Sequence, residues 1–187
     1  MSSLRGVPTV FLALTAVLAL VGAAAALWWE SLYVDVTVNT GTLDAQLSVH
    51  GSGDNEIALA EAMNESHPEV KDVSNISCTL SDDGKSIDIV VENAYPGITY
   101  YCDVDLTNTG TIPFKVYSVS YEGNLTSVAS EFGFANGTIA EGVQLEPGDS
   151  VVDRLVITLS NDAAEGSVYT GHVTITVEQW NEYPTAP

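Results

Sequence analysis

Positive charge is almost absent from this chain: its 187 residues carry five Lys and Arg against 25 Asp and Glu, for a formal net charge of −20. That balance excludes nucleic acid as a partner, because phosphates are met by basic patches. It favours solubility, cation binding or life in concentrated salt or divalent ions. Histidine is also scarce. His50, His67 and His172 form no HExxH pair, so the two ligands one helical turn apart that a zinc protease needs are missing, and surface or sheet-edge positions account for all three. The chain has no GxSxG elbow, no P-loop, no GxGxxG after a first strand and no CxxC. Neither a long amphipathic helix pattern nor a repeat at solenoid periods occurs. The sequence points away from an enzyme.

The first thirty residues differ in kind from the rest. No charge occurs from Gly6 to Trp29, and the run Val10 to Val21 is almost wholly Leu, Val, Ala and Phe behind the single cation Arg5. A small-residue tract, Ala23 to Ala26, follows. This is the order of a secretory signal, with cleavage near Ala26 and a mature chain starting near Leu27. Two other readings stay open: a retained membrane anchor, since the uncharged stretch is long enough to span a bilayer, and a prepilin-type cut at Arg5-Gly6 that leaves an apolar helix on the mature protein.

Beyond that segment the pattern is strand after strand. Leu32, Val34, Val36 and Val38 alternate with polar residues, as in a half-buried strand. After Thr40-Gly41 the apolar parity flips to Leu43, Ala45, Leu47 and Val49, which requires a bulge or a new strand. Gly51 to Asn55 reads as a turn-rich break, and Ile57 to Met63 as the one helical stretch. Strands are expected at Ile76 to Leu80 and Ile87 to Val91 around the turn Asp82-Asp83-Gly84. A central strand is expected from Ile98 to Leu106, the longest clean alternation. Further strands are expected over Ile112 to Tyr121, Val128 to Phe134, Val151 to Leu159 and Tyr169 to Trp180. The expected fold is all-β: one domain, a two-sheet sandwich with jelly-roll or Greek-key connections.

Candidate sites are few. Cys78 and Cys102 share the inward parity of their strands, so a disulfide is expected if those strands are neighbours. Four sequons, at Asn64, Asn75, Asn124 and Asn136, are candidate glycosylation sites. Asp82, Asp83, Asp103 and Asp105 are the candidate oxygen ligands for a cation, calcium being the one that suits flexible all-oxygen sites, although no EF-hand loop is present. No other cofactor is expected.

The stretch Val38-Asn-Thr-Gly-Thr-Leu-Asp-Ala-Gln-Leu47, just after a signal-like segment, resembles the TasA/camelysin family of secreted biofilm-matrix proteins and their archaeal bundling-pilus relatives. Glu92 to Gly97, Asn108 to Lys115 and Leu145 to Asp149 look similar, in the same order, over nearly the whole mature chain. The resemblance implies a secreted homopolymer: a jelly-roll-like sandwich that assembles head to tail outside the cell when one subunit's N-terminal strand fills a gap in the next. On that reading residues 1–26 are the signal peptide, 27–40 the donor segment carrying Leu32, Val34, Val36 and Val38, and 41–187 the sandwich. Trp28 and Trp29 would sit at subunit joints, filaments of the same kind would bundle, and the membrane would be met only during export. Camelysin's description as a metalloprotease is not carried over, because the histidine ligands are missing. A type IV-like pilin with a retained helix and a monomeric cell-surface adhesin, its Trp and Tyr stacked on sugars, are the competing readings.

Overall fold

The computed structural model describes residues 7–26 and 40–182, and the chain divides into two units at Asn39/Thr40. The first contains the helix α1, Val7–Ala26. Its consecutive residues Val10, Phe11 and Leu12 are all exposed, so no single face is the apolar one, unlike a helix that packs one stripe on a core. Its side chains are described over 9–21, and among the described residues no helix is long and apolar enough to cross a membrane. The expected donor strand Leu32 to Val38 and the aromatics Trp28 and Trp29 lie outside the described residues.

The second unit is built on two antiparallel sheets. Its strands are β1 (Ala45–Asp54), β2 (Asn75–Leu80), β3 (Ser86–Ala94), β4 (Thr99–Asn108), β5 (Phe114–Glu122), β6 (Ala129–Phe134), β7 (Gln144–Leu145), β8 (Ser150–Leu159) and β9 (Ser167–Gln179). The four-stranded sheet runs β1-β4-β8-β6 and the five-stranded sheet β2-β3-β9-β5-β7. Among the described strands only β2 and β3 are consecutive neighbours; every other connection passes from one sheet to the other. Alternation explains the layering. In β4 Tyr100, Cys102, Val104, Leu106 and Asn108 are buried and the residues between them half-buried, and in β8 Leu155, Ile157 and Leu159 face them from the next strand. From the other sheet, Ile87, Ile89 and Val91 of β3 and Val173 of β9 complete the core. As expected, β4 lies in the interior of its sheet, and the short helix α2, Glu56–Ala62, falls where the IALAEAM stretch predicted one.

Two expectations need correction. Gly51 to Asp54 is not a turn: β1 continues through it, with a bulge at His50, because β4 keeps pairing as far as Tyr100. Gly53 serves close approach here. A β-carbon on Gly53 would sit 2.7 Å from the Tyr101 hydroxyl. β5 also starts later than expected, at Phe114, and a bulge at Tyr117 moves its apolar parity from Phe114 and Val116 to Val119 and Tyr121. A short helix α3, Leu125–Val128, precedes β6.

Buried carboxylates hold the long loops down. Asp153, 1% exposed on the inner face of β8, accepts the backbone N–H groups of Asn136 (2.9 Å), Thr138 (2.7 Å) and Ile139 (3.0 Å), and the Thr138 hydroxyl. Burial alone would raise its pKa, but these donors outweigh it and hold the carboxyl below its ordinary value. A depressed folded-state pKa contributes stability that is present above the unfolded value, about 3.9, and is lost as pH falls through the folded one. Asp153→Asn, which turns an amide N–H toward these donors, should cost about 1.5–3 kcal/mol at pH 7. Urea denaturation of the two proteins between pH 7 and pH 3 should show the wild-type advantage shrinking below about pH 4.

Candidate functional site

The five-stranded sheet of the second unit has a strand-shaped gap. β9 extends to Gln179, but β3 accompanies it only as far as the pair Ser86↔Thr174. Past that point, residues 175–179 pair with β5 on one side and with no strand on the other among the described residues. Beside this edge lies a groove of about 390 Å³, lined by Leu43, Ala45 and Leu47 at the start of β1, Leu106 at the end of β4, and Ile175 and Val177 of β9. Leu43 is 40% exposed. The volume is that of a small-molecule cleft, roughly 300–1,000 Å³, but such clefts carry convergent polar groups on an enclosed wall. Here an aliphatic floor runs beside an unpaired backbone edge, and that combination fits an extended peptide.

Local chemistry fixes both ends of the gap. β3 stops because the β2–β3 turn is tied off: Ser81 N–H donates to Ser86 O (2.9 Å), and Asp83 accepts from the Ser81 hydroxyl (2.5 Å) and the Lys85 N–H (3.0 Å). Those two donors hold the Asp83 carboxyl below its ordinary pKa. On the other side the segment before β1 is strapped to the Asn108-Thr-Gly turn. Thr111 N–H donates to Thr42 O (2.9 Å), Thr42 N–H to the Thr111 hydroxyl (2.8 Å), and the Thr109 hydroxyl to Asp44 (2.8 Å). Gly110 is required there, since a β-carbon would lie 2.3 Å from Thr42 O. Buried Asn108 anchors the turn from below, donating to Ile112 O and Leu145 O (3.0 Å each). The chain leading back toward residues 27–39 thus departs from a pinned strap whose Leu43 and Asp44 line the groove.

The other expected sites scatter. Cys78 and Cys102 are bonded, with Cα atoms 6.3 Å apart. Their strands, however, are not neighbours in one sheet: β2 edges the five-stranded sheet and β4 lies inside the four-stranded one, so the bond joins the two layers. The four sequon asparagines Asn64, Asn75, Asn124 and Asn136 are all exposed, and the Asn124 side chain also accepts the Thr170 N–H at 2.6 Å. The candidate cation ligands do not converge. Asp82 and Asp83 sit in the β2–β3 turn, whereas Asp103 pairs with Arg154 (2.7 Å) and Asp105 with His50 on the outer face of the four-stranded sheet. His172 likewise pairs with Asp88 (2.7 Å).

A different trio does converge: Asp54, Glu56 and Asp72 place ligand atoms within 4.8 Å of one another. Burial pushes the Asp54 carboxyl up, and the charges of Glu56 and Asp72 add to it. Glu56 is committed elsewhere, since it accepts Val73 N–H (2.6 Å), Ser74 N–H (3.2 Å) and the Ser74 hydroxyl (2.5 Å) and so holds the loop after α2. Asp72 lies too far from the other two in sequence for any motif to have marked the trio. No family model, curated protein or solved structure matches this chain.

The disulfide closes a loop with a sequence separation of 24. Chain-entropy reasoning gives it about 3.5 kcal/mol. Replacing both cysteines with Ser should lower the urea midpoint by that amount of stability, and adding a thiol reductant should do the same to the wild type but leave the double variant unchanged.

Proposed function

We propose that this chain is the structural subunit of an extracellular filament, a jelly-roll-like sandwich that polymerises by donating the strand Leu32 to Val38 of one copy into the β9 groove of the next. The observation that carries the reading is the gap itself. A row of backbone groups on residues 175–179 lacks a strand partner among the described residues, and an apolar groove lies beside it. A soluble protein does not leave such an edge beside an aliphatic floor without cost, because it templates pairing with any available strand.

The donor has the matching chemistry. Leu32, Val34, Val36 and Val38 put one apolar face forward at strand parity in the sequence, ahead of the sandwich residues that begin at Thr40. Burying four such side chains contributes about 6–12 kcal/mol before ordering costs, and main-chain hydrogen bonds add to it. Donor and acceptor surfaces differ, so the contact is head to tail and propagates as a fibre. This agrees with the resemblance to secreted matrix-filament proteins. A disulfide between the layers fits an oxidising compartment, and exposed sequons fit a glycosylated outer surface. The protein has no catalytic role in this account.

The competing pilin reading keeps α1 on the mature protein, where exposed apolar residues on all its faces would bundle at a filament axis. N-terminal sequencing of the exported protein separates the two, with a start near Leu27 expected here and a start near Val7 for the pilin. Purified chain beginning near Leu27 should form fibres, and a chain beginning at Val38 should stay monomeric with an unchanged fold by circular dichroism. Fibres of equal yield from the shortened chain would contradict the donor-strand mechanism.

A further inference from the structure

The rim of the β9 groove carries a cation in a chain that has very few. Of the five Lys and Arg, Arg5 precedes α1 and Arg154 is committed to Asp103 and stacked over Tyr101. Lys115 lies opposite Glu178 in the β5–β9 ladder, and Lys71 lines a separate depression beside α2. Lys85 is different: it is exposed, lines the groove, and has no ion pair within 4.0 Å among the described residues. Its backbone is held by the Asp83 cap, so its ammonium is presented from the turn just before β3 starts, next to the point where the open edge of β9 begins. On the outer face of the same edge, one residue past the groove lining, Glu178 has a buried carboxylate oxygen with no hydrogen-bond partner. A cation with no ion pair within 4.0 Å, its nearest opposite charge being Asp83 in its own turn, and a carboxylate oxygen without a donor thus stand along the open edge.

We propose that Lys85 sets the register of the incoming strand by pairing with Asp35 of the neighbouring copy, an assignment that rests on the donor-strand reading above. Asp35 is the only charged residue between Ser31 and Thr42, and it is the second of the four polar-parity residues Tyr33, Asp35, Thr37 and Asn39. The apolar face cannot choose a register by itself: Val34, Val36 and Val38 are the same residue at a spacing of two, so a slip by two positions keeps the face and changes only which valine meets which part of the floor. A single charge on the opposite face breaks that degeneracy, because only one alignment brings Asp35 to Lys85. Tyr33, Thr37 and Asn39 each carry a donor for Glu178. Repulsion supplies the selectivity as much as attraction does. The groove rim also bears Asp44 and Asp83, so a misaligned Asp35 meets like charge.

Charge reversal tests this. In chains beginning near Leu27, Lys85→Glu and Asp35→Lys should each slow fibre elongation about tenfold or more at low salt, since each creates a like-charge contact in the joint. The doubly substituted protein, whose net charge equals that of the wild type, should recover to within about threefold of wild-type elongation. Lys71→Glu, with the same change in net charge outside the groove, should elongate at close to the wild-type rate. Thermal melts of all the monomers confirm that each variant folds. If the double variant elongates no faster than the slower single variant, or if both single variants elongate like wild type, the Lys85–Asp35 assignment is wrong. The chain beginning at Val38, assayed alongside, separates that result from failure of the underlying reading. A monomeric short chain with indifferent charge variants removes only the register pair, whereas a polymerising short chain removes the donor strand and the pair with it.

Discussion

Backbone hydrogen bonding is the constraint on which this structure turns. Buried backbone N–H and C=O groups must find partners, and here the ladder beside β9 runs out before β9 does among the described residues. The β2–β3 turn is closed at Ser81 and Ser86 by its own serine and aspartate hydrogen bonds, while β9 runs on to Gln179. The mismatch leaves residues 175–179 paired on one side only. Elsewhere buried side chains hold the loops: Asp153 collects the loop around Asn136, Glu56 the loop before β2, and Asn108 the turn that straps the start of β1, while Asp105 keeps one buried carboxylate oxygen without a hydrogen-bond partner. The open edge beside Leu43, Ile175 and Val177 is the one that the proposed filament would fill with a strand of the next copy.

In the proposed filament, charge would set the terms on which subunits meet. With a formal charge of −20, copies packed along a fibre repel within a Debye length of about 10 Å at 0.1 M salt. The outer faces already pair several carboxylates internally, Asp103 with Arg154, Asp105 with His50 and Asp88 with His172. Such exposed pairs contribute little to stability, roughly 0–1 kcal/mol each. Of the three, only Arg154 is a permanent cation, and it partly neutralises the outer face of the four-stranded sheet. Asp82, Asp83, Asp103 and Asp105 form no common cation site among the described residues.

Much of the architecture was legible from period-two alternation. β4 and β8 declare themselves through apolar residues at every second position, and the Asp-Asp-Gly and Asn-Thr-Gly segments through turn chemistry. The cysteine pair was legible as a pair, but its placement across the layers was not, because parity identifies the buried face and says nothing about which sheet a strand joins. β1 hid its second half behind Gly51 and Gly53, whose usual meaning as turn residues was overridden by continued pairing with β4. The gap was out of reach for a different reason. It arises from the relative lengths of β3 and β9, two strands some eighty residues apart whose register appears only when they are paired. Asp54, Glu56 and Asp72 converge by the same kind of long-range folding.

The central claim, that the edge of β9 receives Leu32 to Val38 from another copy, is tested most directly by a cross-link that can form only between chains. Two proteins, one carrying Val36→Cys and the other Val177→Cys, would be mixed, assembled and oxidised, each retaining its native Cys78–Cys102 bond. The account predicts a disulfide-linked heterodimer from the mixture, and a ladder of higher species when both substitutions are placed in one chain. No heterodimer from the mixture, together with an internally linked monomer from the doubly substituted chain, would show that the strand folds back into its own groove and would contradict the account.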